Sequence, residues 1–70
     1  MKAYETVDET GREWSAAQSA ALRQAQKDAA GWAEATMLAD GRLRVYVLGV
    51  AGLIDEVRYV AADGATEVQR

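Results

Sequence analysis

The 70-residue chain has no cysteine, no histidine, no proline and no phenylalanine. Without cysteine no disulfide can staple a small fold, and without Cys and His an ordinary zinc site cannot replace it. The same two absences remove the usual thiol nucleophile and the usual general base. No apolar run approaches the ~20 residues that cross a bilayer as a helix. Met1-Lys2 opens directly into a segment of alternating character, which does not read as a signal peptide. Residence in the cytoplasm of a bacterial cell is therefore expected, the bacterial origin suggested by abundant Ala and by Arg making up six of the eight cations.

Half of the chain is hydrophobic, but fifteen of those residues are Ala, which leaves 20 larger apolar or aromatic side chains. A core of this size rarely supplies more than ~3–5 kcal/mol in so short a chain. Self-association, or docking onto a partner, would offset that thinness. The net charge of −3 keeps the chain mildly acidic and argues against direct binding to nucleic acid. With no repeat, low-complexity tract or linker, residues 1–70 form one domain.

From Lys2 to Asp8, the β-branched and aromatic residues Tyr4, Thr6 and Val7 are mixed with charges, and Asp8-Glu9-Thr10-Gly11 marks a turn. Arg12-Glu13-Trp14-Ser15 can run back as a second short strand. A helix follows, over about Ser19–Ala30. Ser19 is one N-cap, and Ser15 with Gln18 three residues later is a competing capping box. Leu22, Ala25 and Ala29, with Trp32 just beyond, line one face, and Gly31 would supply a left-handed stop.

After Gly31 the hydrophobic period changes from about 3.6 to 2. Breaks containing glycine divide the rest into four strand-like runs, Trp32–Ala39, Leu43–Gly49, Leu53–Ala62 and Ala65–Gln69. Asp40-Gly41 and Asp63-Gly64 are strong hairpin signals. The fold class is thus α+β, an antiparallel meander of four to six strands with one helix on one face. A three-residue Val50-Ala51-Gly52 loop sets Gly49 against Leu53, and by extension Val45 against Val57 and Leu43 against Tyr59. Leu43, Val45, Val47, Leu53, Val57 and Tyr59 then face the helix, and a two-residue Asp63-Gly64 turn places Val68 beside Tyr59. For Trp32–Ala39 the pattern allows either Leu38, Thr36 and Trp32 or Met37, Ala35 and Ala33 to point inward.

Catalytic chemistry would need paired carboxylates. Asp8, Glu9 and Glu13 surround a turn without the spacing of a calcium loop, and Asp55 and Glu56 are strand neighbours that point to opposite faces. Gly49-Val50-Ala51-Gly52 lacks the Lys and the Ser/Thr of a phosphate-binding loop. No catalytic, cofactor-binding or metal-binding residues are assigned, and a non-enzymatic protein is expected. The face opposite the helix is more informative. It would carry Arg42, Arg44, Tyr46 and Leu48 beside Ile54, Glu56, Arg58 and Val60. Arg, Tyr and aliphatic groups together have the composition of an interface centre, although Arg stems over Leu and Ile also describe an ordinary solvated sheet. Arg42, Arg44, Tyr46, Leu48, Ile54 and Arg58 are the candidate partner-binding residues, with Arg44 and Arg58 opposite one another. The acidic segment Glu5–Glu13 is a second candidate surface.

The strand opening Lys2-Ala3-Tyr4, the helix Ala21-Leu22-x-x-Ala25-x-x-x-Ala29 and the hairpin-rich C-terminal half resemble the small phage-encoded anti-CRISPR inhibitors. The resemblance is one of size and layout along the chain and transfers no functional residue. It implies a non-catalytic protein that docks on a CRISPR effector complex and blocks it sterically. A net charge of only −3 departs from the strongly acidic DNA-mimicking members and favours direct protein docking. The alternative is a small bacterial domain that forms a structural homodimer and inhibits nothing.

Overall fold

The structure, a computed structural model, describes residues 14–69. The expected N-terminal strand and turn, and the acidic segment, lie outside the described residues. Trp14 and Ser15 are not part of a strand and lead straight into the helix. Among the described residues one helix, α1 (Ala16–Asp28), precedes four strands: β1 (Trp32–Met37), β2 (Leu43–Leu48), β3 (Ile54–Val60) and β4 (Thr66–Gln69). They form a single antiparallel sheet in the order β1-β2-β3-β4, with α1 packed over β1 and β2. This is the α+β meander that the period change at Gly31 predicts.

The capping box, and not Ser19, starts the helix. The backbone N–H of Gln18 donates to Ser15 Oγ at 3.1 Å, and the Ser15 N–H donates to Gln18 Oε1 at 3.0 Å. Two otherwise unpaired N–H groups of the helix start are satisfied at once. Gln18 also has a tertiary role. Its amide Nε2 donates to the carbonyls of Gly41 (2.9 Å) and Val60 (3.0 Å), and the residue is only 1% exposed. Ser15 Oγ adds a bond to the Ala62 carbonyl at 2.7 Å. One helix end is thereby tied to the first hairpin loop, to the end of β3 and to the last loop.

The helix ends at Ala29 in an extended conformation, and Gly31 is not a left-handed stop. Gly31 is required for proximity instead. Its N–H donates to the Leu48 carbonyl at 2.9 Å, and a Cβ there would lie 2.1 Å from the Gly49 carbonyl oxygen. Trp32 therefore begins β1 and does not continue the helical stripe.

All three hairpins use one loop design. Leu38 N–H bonds to Arg42 O, Gly49 N–H to Leu53 O, and Ala61 N–H to Ala65 O, each closing a three-residue loop. The third residue is Gly41, Gly52 or Gly64, each with positive φ. This is the type I turn followed by a left-handed glycine that fits the twist of paired strands. The last loop is thus Ala62-Asp63-Gly64, three residues and not two. Val68 pairs with Arg58, and Tyr59 pairs with Glu67.

The β2–β3 register begins as expected and then changes. Leu48 pairs with Ile54, but Val47 pairs with Glu56, leaving Asp55 as an extra, bulged residue. From there onward every β3 side chain is on the side opposite to its expected one. Val45 faces Arg58, Arg44 faces Tyr59 and Leu43 faces Val60. Val60, expected outside, is completely buried, whereas Val57 and Tyr59 leave the helix side and Leu53 is 72% exposed. The core comprises Leu22, Ala25, Ala33, Met37, Leu43, Val45, Val47 and Val60. In β1 the Ala33, Ala35 and Met37 alternative is the one that points inward.

Two substitutions test this account. A side chain at Gly52 would meet nothing within 4 Å, so Gly52→Val should act through backbone strain alone, costing at least ~1 kcal/mol, while Ala51→Val stays near neutral. Thermal melts compare them, and equal effects would contradict the loop assignment. Gln18→Leu should cost about 2–3 kcal/mol, because it strips the cap and leaves two carbonyls without their donor. In urea titrations, exposed Gln24→Leu should change stability by less than about 0.5 kcal/mol.

Candidate interaction face

Alternation from the observed pairings sorts the sheet into two faces. The face away from α1 consists of three rows that run across the strands. Trp32, Leu48 and Ile54 form the first. Glu34, Tyr46, Val57 and Gln69 form the second, and Thr36, Arg44, Tyr59 and Glu67 the third. Arg42 continues the same side of β2 into the first hairpin. The first row is apolar and open, with Trp32 51% and Ile54 54% exposed, and Leu53 and Val50 extend it around the β2–β3 loop.

Five of the six residues expected to bind a partner lie on this face: Arg42, Arg44, Tyr46, Leu48 and Ile54. Arg58 does not. The bulge turns it to the helix side, together with Glu56. There Arg58 Nε donates to Glu56 Oε2, and Nη2 donates to Asp28 Oδ2 at 3.0 Å, near the helix C-terminus. The expected Arg44–Arg58 juxtaposition is accordingly replaced by Arg44 beside Tyr59. The like-charge repulsion it implied does not arise.

The two remaining guanidinium groups rest on aromatic rings. Arg42 lies 4.9 Å from the Tyr59 ring centre and Arg44 4.8 Å from that of Tyr46. Such contacts contribute about 0.5–1 kcal/mol when exposed and hold the cation flat against the sheet. Arg42 is also held by Asp40, at 2.9 Å, and by Glu67, at 3.6 Å. Its hydrogen bonds from backbone and side chain keep the Asp40 carboxyl below its ordinary pKa. Arg44 differs in that its Nε is enclosed without a hydrogen-bond partner. Arg42 is largely engaged within the chain, while Arg44 and Tyr46 form the centre of the face.

Trp32, Val57 and Tyr59 are members of the face that the sequence reading did not assign to it. Nothing local in the sequence marks the bulge that brings Val57 and Tyr59 there. Asp55 and Glu56 do not converge: Asp55 lies over Gly49, within 3.3 Å of where a Cβ there would sit, while Glu56 bonds Arg58. Among the described residues no three carboxylates form a group able to hold a metal ion, and no helix is long and apolar enough to cross a membrane. No protein family, curated protein or solved structure matches the chain.

The Arg58 cluster predicts a pH dependence. Hydrogen bonds from Gln24 and Arg58 hold the Asp28 carboxyl below its ordinary value of 3.8. Burial opposes the charge on Arg58, but the bonds to Glu56 and Asp28 outweigh it and raise its pKa. A carboxyl depressed in the folded state contributes stability above its unfolded pKa and loses it as pH falls through the folded one. Asp28→Asn should therefore melt slightly below wild type at neutral pH, and the difference should begin to shrink as pH falls past 3.8 and vanish below the lowered folded-state value. A difference that persists in acid would assign the effect to packing instead of charge.

Proposed function

We propose that this is a non-catalytic interaction protein whose contact surface is the outer face of its sheet. The composition of that face carries the reading. Two Arg–Tyr stacks lie beside an open apolar row of Trp32, Leu48 and Ile54, on the side of the sheet that the described helix leaves bare. Aromatic and Arg side chains dominate the centres of protein interfaces, and here the two guanidinium groups are already held against aromatic rings. The thin core supports the same conclusion, since a chain with 20 large apolar side chains spends several of them outside it.

The partner class follows from the resemblance in size and layout. The protein would occupy a surface of a CRISPR effector complex in the bacterial cytoplasm and block it sterically, as a phage or mobile-element inhibitor does. The net charge of −3 favours a protein surface over a nucleic-acid channel as the thing mimicked or covered.

Reconstituted effector complexes, loaded with guide and challenged with target DNA, test both levels. Wild type in excess should suppress target binding or cleavage. The double variant Arg44→Glu with Tyr46→Ala should weaken inhibition about tenfold or more while still folding cooperatively, its melting temperature lowered by several degrees through loss of the Arg44–Tyr46 contact. Wild type without effect on any effector class removes the inhibitory reading. A double variant with full potency moves the contact off this face.

A further inference from the structure

We propose that the outer face pairs with the same face of a second copy, about a two-fold axis that runs along the strands between β2 and β3. This rests on the reading of that face as the contact surface, and it names an occupant. The operation lays β2 of one copy on β3 of the other, and β1 on β4. Each row then meets its own counterpart in reversed order.

In the first row, Leu48 covers Ile54 of the second copy, and Trp32 extends the apolar contact outward. In the second, Tyr46 covers Val57 and Glu34 covers Gln69. In the third, Arg44 covers Tyr59 with Glu67 alongside, which supplies an anion next to the Arg44 guanidinium. Directly superposed positions carry no like charges. The alternative two-fold axis, in the same plane but across the strands, would stack Glu34 on Glu34 and Leu48 on Arg44. Stacked like charges are destabilising, which excludes that arrangement as the favoured one.

Charge suits a self-contact, and size limits its strength. Arg42 and Arg44 balance Glu34 and Glu67, so the face is neutral although the chain carries −3. Two copies therefore approach without net repulsion at the interface. Four strands of about six residues make a face roughly 20 Å on each side. A pair of such faces covers roughly 800 Å² in total, below the size of stable specific interfaces, so the dimer is weak and concentration-dependent. Aligned stacking of twisted sheets at about −30° is compatible with this axis. A host partner that docks on the same face would compete with the second copy.

Sedimentation equilibrium of the purified full chain, from micromolar to millimolar concentration, reads the association directly. Wild type should move from monomer towards dimer mass. Leu48→Arg and Ile54→Glu should each remain monomeric with unchanged melting, and their equimolar mixture should regain association through one Arg–Glu contact. A mixture that stays monomeric overturns the axis, and so do single variants that associate like wild type. A second measurement does not depend on how these variants fold. The chain has no native cysteine, so a spin label on Glu34→Cys is unique. In a mixed sample it should broaden the amide signals of Val68 and Gln69 in an isotope-labelled second copy. Broadening centred on residues 32–36 would overturn the pairing. Wild type that stays monomeric throughout removes the second copy but leaves the face open to another partner. That broader reading falls only if the Arg44/Tyr46 double variant keeps full potency.

Discussion

Asp55 is the residue on which both faces of the sheet depend. It is one residue more than the β2 partner strand can pair, so the chain bulges there and every later β3 side chain changes sides. Gly49 leaves room for this. A side chain at that position would meet the Asp55 carboxylate, whose two oxygens would lie 2.9 and 3.1 Å from its Cβ. Gly31 closes the same end from the other direction, its backbone lying directly against the Leu48 and Gly49 carbonyls. With the bulge, Val60 fills the core beside Leu43, and Arg58 reaches Asp28. Without it, Val60 would face away from the helix and Tyr59 would face it.

The opposite end of the molecule is organised by Gln18. A fully enclosed amide that accepts one hydrogen bond and donates two is a demanding arrangement, and each partner left unpaired there would cost about 1–3 kcal/mol. It is also specific. The same side chain completes the helix cap and fixes the distance of the helix from Gly41 and Val60. In a domain with an Ala-rich helix, where Leu22 and Ala25 are the buried apolar helix residues, this polar contact supplies orientation that packing alone would leave loose.

These two ends explain the form of the outer face. The helix lies over β1 and β2, so the middle of β3 sits at the margin of the covered side, where the paired Glu56 and Arg58 keep partial contact with solvent. Placing them there frees Val57 and Tyr59 for the outer face, next to Tyr46 and Arg44. The result is a face richer in aromatic groups, and poorer in unbalanced charge, than a sheet without the bulge would present.

Local pattern determined that one helix precedes Gly31, that the period changes there, that glycine-closed hairpins follow and which way β2 faces. These follow from side-chain alternation and from loop chemistry within a few residues. Local pattern misplaced the helix ends, however, and made the last loop one residue too short. Alternation also placed Arg42, Arg44, Tyr46, Leu48 and Ile54 together on the open face. For β3 it favoured Leu53, Val57 and Tyr59 as the inward set, because the opposite choice sets the charged Arg58 against the buried Val45, and the structure adopts that opposite choice. The choice depends on contacts distant in sequence: Arg58 with Asp28, Val60 with Gln18 and Leu43, and Asp55 with Gly49. The burial of Gln18 was equally hidden, since a glutamine three residues after a serine reads as a cap whether or not a sheet lies beneath it. Only the tertiary structure brings those groups together, and their mutual satisfaction decides which way β3 faces.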